Sequence, residues 1–229
     1  AVEILSCGTC ILNCKYCYIP KTPLMAELHK EIIVALENNS YIDRLKEIYG
    51  QNLTALSFWG TEPTLTLDTI GPHIGSFFLA FPKLKDIQFS TSLMTNSEVI
   101  VRFVKKIIYT DPDRPVTIGI QISLDGPDFI TDENRIKGAS KVIPEHLVEI
   151  VQALQDLDFK CHKLVFHWKC TLTMDNMKLM NSNPELIKEF LRYFGEIAEK
   201  FKSTNNNQGI VLEEGSYAPT LMVPGKYTS

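Results

Sequence analysis

The sequence predicts an α/β fold: a partial barrel of about six strand–helix units. Three observations carry this. Short apolar runs alternate with helix-spaced segments about six times, the pattern of parallel βαβ units. The chain has 229 residues, whereas a full eight-unit barrel usually takes about 250. Glycine and polar residues gather where the predicted strands end, and α/β barrels collect their active-site groups there.

Taken in order, residues 2–6 form a first short strand that enters a cysteine-rich loop, and Pro20 and Pro23 keep the following segment irregular. Residues 29–36 and 41–49 carry apolar side chains at helical spacing. A second strand, 53–59, ends at Gly60-Thr61-Glu62-Pro63, and a helical return over 66–81 is broken at Gly71-Pro72. The third strand is 86–91, followed by a helix over 98–109. The fourth, 116–124, is a buried-type run ending at Asp125-Gly126-Pro127. Pro144 stands at the expected start of an amphipathic helix over 145–157. The fifth strand is 164–173. Asn183-Pro184 opens a strong helix, a polar loop covers 203–209, and the last strand is 209–214.

Composition narrows the function. At 45% hydrophobic and 22% charged, the chain reads as a globular protein. A net charge of −4 gives no electrostatic case for nucleic acid. No apolar run reaches membrane-spanning length and no signal peptide is visible. Six cysteines, three of them clustered, point to thiol or metal chemistry in a reducing compartment, so a cytoplasmic location is expected.

The clustered cysteines are Cys10, Cys14 and Cys17, spaced C-x3-C-x2-C with Tyr16 before the last. Three thiolates this close can fold around one corner of an iron–sulfur cluster. A cubane usually takes four, so one iron would stay open. Zinc binding or an electron-transfer cluster, either with Cys7 as fourth ligand, are the competing readings. C-x2-C-x3-C-x2-C is not a common zinc spacing, and no second Cys/His pair follows. Cys7 reads as a strand-end or loop residue, and Cys161 and Cys170 as structural thiols.

The spacing resembles the signature of the radical S-adenosylmethionine (SAM) superfamily, C-x3-C-x-aromatic-C. The resemblance implies an open (β/α)6 barrel whose [4Fe–4S] cluster is held by Cys10, Cys14 and Cys17. The open iron chelates SAM, and an electron cleaves SAM to a 5′-deoxyadenosyl radical that abstracts hydrogen from substrate. Gly60-Thr61-Glu62-Pro63 resembles the family's G-G-E-P segment, with Thr61 in place of the second glycine. This implies that Gly60, Thr61 and Glu62 meet the SAM ammonium. Ser90-Thr91-Ser92-Leu93 stands where many relatives carry Thr-Asn-Gly, and it could supply a polar contact or cap a loop. Ile122-Ser123-Leu124-Asp125-Gly126, with Asp132-x-x-Arg135, resembles a block of the peptide- and protein-modifying members, including the anaerobic sulfatase-maturating group. It implies Ser123 at the SAM ribose and Arg135 at the SAM carboxylate, with Asp125 ordering the loop or approaching substrate. The fifth strand implies Leu172 beside the adenine.

Alternation places His167, Lys169 and Thr171 on one face of that strand and Trp168, Cys170 and Leu172 on the other; which face is interior stays open. Of Glu213 and Glu214, at most one points inward. The expectation is therefore a radical SAM oxidoreductase acting on a peptide or protein side chain, served by an external donor of flavodoxin or ferredoxin type. Residues 1–214 would form the barrel and 215–229 begin a C-terminal extension of a longer protein. A small-molecule substrate, or a non-catalytic iron–sulfur or zinc module, are the alternatives.

Overall fold

The computed structural model describes residues 1–19 and 21–213, and the backbone of 220–222. Six parallel strands form one sheet: β1 (Val2–Cys7), β2 (Ala55–Gly60), β3 (Asp86–Thr91), β4 (Thr117–Ser123), β5 (Lys163–Lys169) and, after a three-residue β6 (Thr171–Thr173), β7 (Ile210–Leu212). Their order in the sheet is β1-β2-β3-β4-β5-β7, so neighbours in sequence are neighbours in space. Parallel crossovers are almost always right-handed. With sequential order, that rule sends every connecting helix to the same side.

Strand residues alternate accordingly. Leu56 and Phe58, Ile87 and Phe89, Ile118, Ile120 and Ile122, Leu164 and Phe166 are buried in a single core with the helices. The helices contributing most are α4 (Ile74–Ala80), α5 (Ser97–Thr110), α7 (Ala139–Leu154) and α9 (Glu185–Thr204), and α1 (Pro23–Glu37) adds Ile32 and Leu36. Between α1 and β2 lies α2 (Ser40–Tyr49). The return from β2 to β3 is a string of short turns, α3 (Leu67–Ile70) and α4 (Ile74–Ala80), interrupted by a 3₁₀ turn at Gly71–His73. Each buried aliphatic or aromatic strand residue contributes about 1.5–3 kcal/mol of burial free energy, all directed to the helix side. The opposite face carries Glu3, Ser57, Gln88, Gly119 and Gln121. Parallel sheets are ordinarily apolar on both faces; this one is polar where no helix covers it. Among the described residues no helix is long and apolar enough to cross a membrane.

Besides α1, which starts at Pro23 instead of leaving it in an irregular segment because Thr22 caps it and proline suits a helix's first position, four departures from the sequence expectation have physical causes. The fifth strand is two pieces: it breaks at Cys170, and β6 pairs instead with β8 (Thr220–Met222). The break coincides with Asp125, whose carboxylate takes the Thr171 N–H and whose carbonyl accepts the Cys170 thiol. Second, α7 begins five residues before Pro144 rather than after it. A proline mid-helix frees the carbonyl four residues back, here that of Ser140, and the Tyr193 hydroxyl from α9 donates to it. Third and fourth, two short helices go unforeseen: α6 (Asp128–Asn134) after Pro127, and α8 (Met174–Ser182), which opens with a Thr173–Asn176 capping box. Glu214 and the extension expected from 215 lie outside the described residues, apart from the backbone of β8.

Candidate functional site

At the C-terminal edge of the sheet, the cysteine loop folds over the ends of β2, β3, β4 and β5 and encloses a cavity of about 270 Å³. Cys10, Cys14 and Cys17 line it, as do Gly60, Thr61 and Glu62 after β2, Ser90 to Ser92 at β3, Ser123 at the end of β4, Lys169 and Thr171 around the β5 break, and Arg135 after α6. All three thiols are free. Cys7 is fully buried on β1, donates its Sγ–H to the Thr9 carbonyl, and does not line the cavity.

Asp125 determines how the cysteine loop sits. Its carboxylate accepts the Tyr16 hydroxyl at 2.7 Å, the Arg135 Nε and Nη2 at 2.9 and 2.8 Å, and the Thr171 N–H at 2.9 Å. The aromatic of the cysteine motif is therefore a tether to β4. A second tether is the Lys15 N–H, which donates to the Asn134 carbonyl at 2.8 Å. Arg135 and Asp125 form a buried bidentate ion pair, their side chains 6% and 0% exposed. The one guanidinium nitrogen left over, Nη1, stands 4.0 Å from the Cys14 Sγ. Burial pushes the Cys10 and Cys14 thiols above their ordinary value, and the Arg135 charge opposes the shift at Cys14. Burial likewise pushes the Tyr16 phenol far up, so it remains a donor to Asp125.

The turn after β2 is fixed from both sides. Gly60 has φ +144°, a left-handed conformation, and a Cβ there would lie 2.2 Å from the Cys7 carbonyl oxygen; only glycine fits. The next residue donates its N–H to that same oxygen at 3.1 Å, and its hydroxyl reaches the Thr9 carbonyl. Glu62 is 1% exposed and does not point freely into the cavity. Its carboxylate accepts the Ser92 N–H at 2.9 Å, the Ser92 hydroxyl, and the Thr64 hydroxyl at 2.6 Å. It thereby locks the β2 turn to the β3 loop. Leu93 in that loop takes a left-handed φ of 52°, the conformation that suits Asn or Gly. Its carbonyl is held by the His146 ring at 2.6 Å, a partner with no local sequence signal.

A second cavity, about 560 Å³, opens over the polar sheet face and shares Trp59, Ser90, Gln121 and Lys169 with the first. Glu3, Ser57, Gln88 and His167 complete its polar lining. The His167 Nδ1 stands 2.5 Å from the Glu213 carboxylate.

The structure thus gathers Cys10, Cys14, Cys17, Gly60, Thr61, Glu62, Ser123 and Arg135 around one space. Leu172 is not among them: it packs with Ile130, Cys170 and Met180 in a separate apolar cluster, and its neighbour Thr171 lines the cavity instead. The open question about β5 is also resolved, since Trp168 faces the helix core while His167 and Lys169 face the cavities. Gln88 and Gln121, which the motifs passed over, had one available signal. The I-x-I-x-I alternation of β4 marks its apolar face and, by exclusion, its polar one.

Among the described residues no group of three or more His, Cys, Asp or Glu side chains converges closely enough to hold a single metal ion. A cubane distributes its protein ligands over separate irons, so its thiolates need not meet at one point. Comparison with protein-family models and with curated proteins finds no match.

Proposed function

We propose that this chain is the catalytic core of a radical SAM enzyme, built on an open (β/α)6 barrel and modifying a peptide or protein side chain. The observation that carries this reading is the convergence of three free thiols at C-x3-C-x2-C with four successive strand ends on one cavity. That donor set is one thiolate short of what a cubane usually takes, and Cys7 is buried elsewhere. The residues present therefore fit a [4Fe–4S] cluster with one open iron. A bound cluster would supply the electron that cleaves SAM to methionine and a 5′-deoxyadenosyl radical.

In this reading the chain's own residues bind, orient and exclude water. Cys10, Cys14 and Cys17 hold the cluster, and Tyr16, through Asp125, sets the loop that presents them. Gly60 and Thr61 bring bare backbone to the cofactor, and Glu62 orders that backbone through Ser92 and Thr64. Ser123 offers a hydroxyl from β4.

The span of one cavity favours a sheet curved toward a barrel. One cavity touches both Glu3 on β1 and His167 on β5, four strand spacings apart, which on a flat sheet is about 19 Å. A polar chamber continuous with the cysteine cavity suits a substrate delivered to the radical. The side-chain amides of Gln88 and Gln121 each offer a donor and an acceptor, the same pairing that a peptide group presents.

The test is anaerobic. The protein is reconstituted with iron and sulfide, reduced and mixed with SAM, and 5′-deoxyadenosine is followed by chromatography and mass spectrometry. Formation in the wild type and loss in Cys14→Ala are expected. A cluster that forms without binding or cleaving SAM would sink the reading. Cluster loss in Cys7→Ser equal to that in Cys14→Ser would overturn the ligand assignment.

A further inference from the structure

We propose that Arg135 tunes the reduction potential of the cluster by donating an N–H···S hydrogen bond, through its Nη1, to the sulfur of the Cys14 ligand. The proposal rests on the cluster reading above, in which Arg135 otherwise has no role.

The three thiols stand in different surroundings. Cys17 is exposed. The Cys10 Sγ accepts the Leu12 N–H at 3.3 Å, a neutral donor. Among the described residues only the Cys14 Sγ faces a guanidinium, with Nη1 4.0 Å away.

That nitrogen is aimed at the sulfur by the rest of the network. A guanidinium is a rigid planar fork with five N–H donors. Nε and Nη2 are fixed on the two Asp125 oxygens, and the Tyr16 ring lies against the same group, 5.4 Å from Cζ to ring centre. Asp125 is itself held by the Tyr16 hydroxyl and the Thr171 N–H. With two nitrogens pinned, the direction of the third is set. The Arg135 side chain is 6% exposed, so water weakens the contact little.

Asp125 does not cancel this charge at the sulfur. The carboxylate occupies the Nε–Nη2 edge, and Cys14 faces the remaining nitrogen. Burial raises the Cys14 thiol, and of the charges acting on it Arg135 is the largest, ahead of Cys17, Asp125 and Lys21. Lys21 acts weakly on both Cys10 and Cys14 from the exposed surface, where its ammonium donates to the Asn13 Oδ1 at 3.4 Å. Reduction adds one negative charge to a cluster and its thiolates. A hydrogen bond and a positive group at a ligand sulfur therefore stabilise the reduced form more than the oxidised one, and raise the potential. Arg135 thereby makes the cluster easier for the external donor to reduce.

The experiment is a redox titration without SAM. Anaerobically reconstituted wild type, R135Q, D125N and K21M are titrated with dithionite and mediators, and the reduced cluster is followed by electron paramagnetic resonance. R135Q should lower the equilibrium constant for one-electron reduction about tenfold or more, each tenfold being about 59 mV. D125N leaves the Arg135 charge uncompensated and should raise it. K21M should stay within about twofold, since exposed charges are screened. A loosened or wetter site would move R135Q and D125N in one direction, so shifts of opposite sign are the signature. If R135Q takes up no iron, the D125N/R135Q pair, which buries neither charge, is titrated in its place and should still fall below wild type, because the donor to Cys14 is gone. R135Q at the wild-type potential, or the two single variants shifted the same way, would overturn the proposal and leave the cluster standing. Wild type that assembles no cluster would remove the reading beneath it, and this proposal with it.

Discussion

Removing the Asp125 carboxylate should break the ion pair on which the site is organised. Asp125→Ala leaves the Arg135 guanidinium buried without a counter-charge and orphans the Tyr16 hydroxyl and the Thr171 N–H. Breaking one side of a buried ion pair costs about 3–5 kcal/mol. For a chain of this length each kcal/mol lowers Tm by about 2–4 °C, so a fall of about 6–20 °C is expected. Urea denaturation followed by circular dichroism gives the free energy directly. The control removes both charges: Asp125→Leu with Arg135→Met should be less destabilised than the sum of the single variants, with a coupling of at least about 2 kcal/mol. The loop should respond too, since it is anchored through Tyr16; limited proteolysis near Cys14 should speed up in Asp125→Ala. A loss below about 1 kcal/mol, the range of an exposed pair, or simple additivity of the two variants, would show that the pair is not the buried hub described.

Gly60→Ala should cost at least about 2–3 kcal/mol or prevent folding, because a Cβ would overlap the Cys7 carbonyl at a left-handed φ; thermal melts of Gly60→Ala beside Gly50→Ala, where a Cβ meets nothing, isolate the clash. Tyr193→Phe should cost about 1–2 kcal/mol by orphaning the Ser140 carbonyl, and less in a Pro144→Ala background, where an amide N–H can take that oxygen again. Differential alkylation read by mass spectrometry should label Cys17 and Cys161 first and Cys10 and Cys14 only as pH rises, since burial raises both thiols. Cys170, pushed up to about 12 by burial, should stay protected. His162 is 2% exposed, and burial lowers its pKa below the ordinary 6.5 despite the opposing effect of the Asp111 backbone and charge. Below that pH the unfolded chain binds the proton that the native ring refuses, so stability should fall as pH drops through the window between the native value and 6.5; His162→Phe should flatten that part of the pH–stability curve.

The α/β alternation and the residues that gather at the strand ends were legible in the sequence because each is written locally. A period of two or of 3.6 needs only a dozen residues, and C-x3-C-x2-C needs eight. The positions of Cys10, Cys14, Cys17, Gly60 and Ser123 on one edge follow from parallel strands that all end on the same side. What the tertiary structure decided was contact between distant residues. Alternation divided β5 into two faces, but only packing against α9 assigned Trp168 to the core and Lys169 to the cavity. Pro144 reads as a helix start until a hydroxyl 53 positions from Ser140 supplies the missing donor. Arg135 reads as a free cation until Asp125, ten positions away across a turn and a helix, takes its fork. The Tyr16–Asp125 bond spans 109 positions. Local sequence sets which side chains share a face; which charges remain available depends on long-range neighbours, and no periodicity records those.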